Sequence, residues 1–173
     1  TVNTLSDGTI YASPALNSSG EEEDQKAAFF SEAKLSFSGT GSLSVYGNGT
    51  DKHAICSDDL IQVEEGNITI QSSMKDGIHG QDGVEIAGGT LQINALGDAI
   101  DGDEGYVKIT GGEITASVSS ANANGIFCDS ILLVSGGIMD ITVLGNQSKG
   151  IKSTQNMTLS GGNIHIHNTG DAV

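Results

Sequence analysis

The chain has 173 residues, enough for one domain with a buried core, and its 25 Gly, single Pro and 36% hydrophobic content describe a chain that turns often. A formal net charge of −15, with all seven basic residues Lys, argues against nucleic acid as a partner, because phosphates would be repelled. No apolar run approaches the roughly 20 residues needed to span a bilayer, so membrane insertion is not expected.

Residues 1–12 read as the end of an earlier coil, with Thr9-Ile10-Tyr11 as a short strand. Residues 13–26 carry the only Pro and the acidic run at 21–24, and read as an exposed loop. A repeating unit then takes over. The pair Ala28-Phe29 recurs as Ala54-Ile55, Gly77-Ile78, Ala99-Ile100, Gly125-Ile126 and Gly150-Ile151, and a seventh copy, Ala172-Val173, is cut off. A second landmark, Gly66, Gly89, Gly112, Gly137 and Gly162, keeps the same pace. Two registers that agree over five coils predict a solenoid, in which each repeat buries its apolar side only against its neighbours.

Within each repeat the apolar residues alternate with polar ones, the period of a strand with one buried face. Ile61-x-Val63, Val84-x-Ile86, Val107-x-Ile109, Leu132-x-Val134 and Met157-x-Leu159 follow the first patch. Ile68-x-Ile70, Leu91-x-Ile93, Ile114-x-Ala116, Met139-x-Ile141 and Ile164-x-Ile166 follow the glycine corner. The expected fold is an all-β, right-handed parallel β-helix of about six to seven coils, each of 22–26 residues with three short strands. The whole of 1–173 reads as one domain. Because the pattern starts and stops in mid-repeat, the expectation is a fragment of a longer helix that lacks its N-terminal coils. Cys56 and Cys128 fall three coils apart, about 14 Å at the strand spacing, which is too far for a disulfide, so both are expected to be free thiols.

Stacking turns sequence columns into ladders. One ladder, His53, Asp76, Asp98, Asn124, Lys149 and Asp171, is polar and immediately precedes the inward strand start. A carboxamide or carboxylate there can cap its own turn. Asp76 beneath Asp98, about 5 Å away, asks for more, since two carboxylates at that distance repel unless a cation lies between them. Asp101, Asp103 and Glu104, with Asp58, Asp59 and Asp82 from the coils below, add hard oxygen ligands of the kind Ca²⁺ takes. Asp76, Asp98, Asp101, Asp103, Asp82 and Asp58 are therefore the candidate metal ligands, with solvated acidic corners as the other reading.

A second ladder, Phe30, Cys56, His79, Asp101, Phe127 and Lys152, is expected to point outward beside it. Phe30 and Phe127 could stack on sugar rings, while His79, Asp101 and Lys152 hydrogen-bond hydroxyls or pair with uronate carboxylates. Scattered surface residues would look the same. His165 and His167 flank Ile166 without obvious partners, a poor zinc pair.

Several of these residues carry a family resemblance. The run from Asn3 to Gly8, Ala28-x-Phe30-Ser31, the segment from Leu35 to Val45, Cys56-Ser-Asp-Asp-Leu60, Asp76-Gly-Ile and Asp98-Ala-Ile resemble the bacterial carbohydrate-binding domain family of β-helices, similar in shape to pectate lyases and typified by a clostridial cellulose- and pectin-binding protein. The resemblance implies a non-catalytic, extracellular or cell-surface β-helix that binds plant cell-wall polysaccharide and carries Ca²⁺ near Asp76, Asp98, Asp101 and Asp103. His53-Ala54 and Lys149-Gly150 depart from the family's acidic start, and calcium is less expected there. A calcium-dependent lyase is the enzymatic alternative. It would need a base to take the proton α to a uronate carboxyl, and with no Arg in the chain Lys75 is the candidate. Carboxylates beside that amine would hold its proton more tightly and make it a poorer base. A structural or adhesin stalk is a third possibility.

Overall fold

The structure, a computed structural model, describes residues 8–11 and 26–169. The loop expected at 13–26, apart from Lys26, and the positions Asp171, Ala172 and Val173 lie outside the described residues.

Each coil contributes short strands to three faces, and strands of successive coils pair in parallel. The first face is a six-stranded sheet of β2 (Ala27–Ser31), β5 (His53–Ser57), β8 (Ile78–Gly80), β11 (Ile100–Asp101), β14 (Ile126–Cys128) and β16 (Ile151–Ser153), in that order. The second holds β3 (Leu35–Phe37), β6 (Leu60–Val63), β9 (Gly83–Ile86) and β12 (Tyr106–Ile109). The third holds β1 (Gly8–Tyr11), β4 (Ser42–Gly47), β7 (Asn67–Ser73), β10 (Thr90–Ala95) and β13 (Glu113–Val118). In the last two coils, β15 (Leu132–Val143) and β17 (Met157–Asn168) run through the glycine corner and belong to both the second and third faces. This is the all-β solenoid of parallel sheets that the periodicity predicts, and no helix occurs among the described residues.

The register matches the repeat residue for residue. Phe29, Ile55, Ile78, Ile100, Ile126 and Ile151 stack in one column, so the coils are 26, 23, 22, 26 and 25 residues long. Variation in length falls in the bends, where it leaves the strands aligned. The inward columns form one continuous core in which Ile55, Ile61, Ile68, Ile78, Leu91, Ile100 and Ile109 are fully buried. Each such side chain contributes roughly 1.5–3 kcal/mol of apolar burial. The sixth coil differs. Its inward residues Met157, Leu159 and Ile166 stay exposed because no described coil lies on their far side.

The glycine landmark marks a left-handed backbone position. Gly66, Gly89, Gly112, Gly137 and Gly162 all have φ between 82° and 98°. At Gly89 a Cβ would also sit 2.7 Å from the Gly66 carbonyl of the coil below, so two independent constraints require a residue without a side chain.

Both cysteines are buried free thiols, on β5 and β14, three strands apart in the first sheet.

Candidate functional site

The predicted polar ladder exists, but its chemistry runs between coils. Instead of closing on its own turn, each side chain caps the main chain of the next coil. Asp76 Oδ1 accepts the Asp98 N–H at 2.7 Å, Asp98 Oδ1 accepts the Asn124 N–H, and Asn124 Oδ1 accepts the Lys149 N–H at 3.2 Å. The Asn124 side-chain amide adds a bond to Asp98 Oδ1 at 3.1 Å. Gly97 is needed beside this ladder, because a Cβ there would collide with Asp76 Oδ1.

These bonds also show how the fold copes with stacked carboxylates. Burial raises the Asp98 carboxyl to about 7, with Asp76 and Asp101 pushing it the same way against the Asn124 donors. Asp76 goes the other way. Burial alone would raise it, but the His53 ring, the Asp98 N–H and His79 outweigh that and lower it. Asp76 therefore ionises first and Asp98 only towards neutral pH, so that below neutrality part of the repulsion is relieved without a cation.

The second ladder is in register as Phe30, Cys56, His79, Asp101, Phe127 and Lys152. Only its ends look outward. Cys56 and Asp101 are buried, and His79 is half-buried. The first ladder lies against the middle of the second, where His53 at the start of β5 and Asp76 just before β8 both meet His79. Phe30 and Phe127 are half-buried, and a lysine ammonium lies over each ring, Lys26 at 5.8 Å and Lys152 at 4.7 Å. Each ring therefore has a cation partner on one side.

Where the two ladders meet, their side chains converge. His53 and His79 stack with ring centroids 4.2 Å apart. His53 Nδ1 lies 3.1 Å from Asp76 Oδ2, and His79 Nδ1 lies 3.8 Å from the same oxygen and 2.8 Å from Asp101 Oδ2. On its outer side, His79 Nε2 faces Asp103 Oδ2 at 3.9 Å. Burial keeps the His53 imidazole below its usual value. Burial would do the same to His79, but Asp101, Asp76 and Asp103 reverse it and hold the ring above its usual value. Cys56 Sγ lies within 4.8 Å of ring nitrogens of both histidines. Its thiol is raised to about 12 by burial first and by Asp58 next, so it stays protonated.

His53, His79, Asp76 and Asp101 line a cleft of about 430 Å³ whose rim includes Lys26, Lys52, Lys75, Asp51, Asp58 and Asp103. Lys26 is tied to Asp58 at 2.8 Å. Among the described residues, neither Lys52 nor Lys75 has a carboxylate within ion-pair distance. Of the six expected metal ligands, Asp76, Asp101, Asp103 and Asp58 border this cleft, while Asp98 is engaged with Asn124 and Asp82 stands exposed outside it. The sequence did not reveal the pairing of His53 with His79. His165 does have a partner, Asp140 at 3.5 Å, although both are exposed.

No curated protein and no solved structure matches the chain. A family model does, over residues 1–173, and the parallel β-solenoid agrees with it: the chain belongs to the carbohydrate-binding domain-containing protein family.

Proposed function

We propose that the chain is a non-catalytic module that binds an acidic polysaccharide, of the pectin type, along the cleft over its first face. The observation that carries this reading is the pair Lys52 and Lys75 at the cleft rim, two ammonium groups without carboxylate partners among the described residues and a local exception to the net charge of −15 that repels nucleic acid. A uronate carboxylate is the sugar substituent that such cations select over neutral hydroxyls. Lys75 is exposed, and a lysine amine becomes a base through burial, so elimination chemistry finds no support at the residue that would perform it. From that ligand class we infer a location outside the cell or on its surface.

The test is calorimetric titration with oligogalacturonate and, separately, with neutral cello-oligomers, while ultraviolet absorbance follows any unsaturated product. Oligogalacturonate should bind without an absorbance change, more weakly as salt rises, and Lys52→Ala with Lys75→Ala should weaken it about tenfold or more. Equal binding of the neutral oligomer by the parent and the double variant would overturn the reading in favour of a cellulose-type surface. Rising absorbance would overturn it in favour of a lyase.

A further inference from the structure

The calcium implied by the family resemblance can be tested against the donor atoms at the floor of the cleft. Calcium takes six to eight oxygen ligands. The floor offers two imidazole nitrogens with two carboxylate oxygens, a mixed set that suits a borderline d-block ion. We propose that His53, His79, Asp76 and Asp101 form a binding site for a divalent cation of the zinc type. The site does not depend on the glycan reading.

The spacing fits. In a tetrahedral site with metal–ligand bonds of about 2.0–2.2 Å, ligand atoms lie about 3.4 Å from one another. Asp76, His79 and Asp101 draw together as one set, with His79 Nδ1 3.8 Å from Asp76 Oδ2 and 2.8 Å from Asp101 Oδ2, and His53 Nδ1 reaches that set through Asp76 Oδ2 at 3.1 Å; these three separations straddle the tetrahedral value. The second observation is independent of the spacing. His53 is only 4% exposed, yet its Nδ1 has no hydrogen-bond partner. The contact with Asp76 has the distance of a hydrogen bond but not its alignment. An orphaned buried ring nitrogen costs the fold about 1–3 kcal/mol unless something else satisfies it, and this one lies 3.1 Å from a carboxylate oxygen that a cation could share.

The surroundings hold these donors as a metal site requires. Each carboxylate gives one oxygen to a main-chain N–H and turns the other inward. Asp76 Oδ1 takes the N–H of Asp98 at 2.7 Å, and Asp101 Oδ1 takes that of Asp103 at 2.9 Å. The far nitrogen of His79 faces the Asp103 carboxylate at 3.9 Å, close enough to favour a charged or metal-bound ring but beyond hydrogen-bond distance. The donors come from three adjacent coils, with His79 and Asp101 directly in register on β8 and β11. A bound ion would therefore cross-link the stack. It would displace the proton shared by His79 and Asp101, so binding should release protons.

The experiment titrates the EDTA-stripped protein with ZnCl₂ alone, and with CaCl₂ alone, by calorimetry in two buffers of different ionisation heat. One Zn²⁺ per chain is expected, with proton release, a raised melting temperature and no competition from equimolar Ca²⁺. His79→Gln and Asp101→Asn, each checked for folding by circular dichroism, should weaken zinc by about a hundredfold or more, since losing even a group that only orients a ligand costs about 10–100-fold. His165→Ala, at the exposed pair with Asp140, should change nothing. Zinc binding that survives both cleft variants, or that falls with His165→Ala, would overturn the proposal as surface binding. So would calcium occupying the site in preference to zinc, or no zinc heat at all.

Discussion

Burial pushes the Asp98 carboxyl up to about 7, well above its unfolded value of 3.8, and that displacement has a sign that can be measured. The folded state favours the protonated acid. Its contribution to stability is therefore fully present below about pH 4 and is lost as pH rises through 7. Asp98→Asn keeps the oxygen that accepts the Asn124 N–H and removes the ionisable group. In EDTA-treated protein at pH 8 the variant should be more stable than the parent by roughly 2–4 kcal/mol, and the gap should close towards pH 4. Urea unfolding at the two pH values checks it. A gap that is absent at pH 8, or that widens in acid, would show that Asp98 is not held protonated by the fold. That acidic residues occupy this column was plain from the sequence. The way their charges divide, one lowered and one raised, depends on which ring and which N–H each carboxylate meets.

Among the elements, the glycine corner sets the geometry of the coil. The recurrence of Gly66, Gly89, Gly112, Gly137 and Gly162 identified it, and a positive φ at every one is the physical cause. Gly89→Ala should destabilise the protein by roughly 2 kcal/mol or more, combining left-handed strain with the approach to the Gly66 carbonyl. At this size that is a fall of about 4–8 °C in melting temperature. An unchanged melting temperature would mean that the corner relaxes to admit a methyl group. Strand parity served less well at the site. His53 with Cys56, and Asp76 with His79, are each three apart, which puts them on opposite faces of a regular strand. The bend at Gly77 breaks that regularity between Asp76 and His79, while His53 and Cys56 are both buried within β5.

For the whole molecule, a charge of −15 spread along a solenoid works against the stacking of coils. Sodium chloride screens such repulsion, with a Debye length falling from about 30 Å at 0.01 M to about 8 Å at 0.15 M. The melting temperature should rise over that range, and a flat or falling curve would mean that local ion pairs such as Lys26 with Asp58 outweigh the net charge. The repeat length, the parallel pairing, the core columns and the free cysteines follow from the sequence by itself. Each depends on a period, and in a solenoid the period becomes the register because every coil sits on one like itself. Only the tertiary structure decided which side chains meet at the bends. The stacking of His53 on His79, the lysines over Phe30 and Phe127, and the burial of Cys56 and Asp101 depend on the angle at which each bend turns. That angle is set by main-chain bonds to the neighbouring coil, such as those donated by the N–H groups of Asp98 and Asn124, and an alternating pattern of apolar residues carries no record of them.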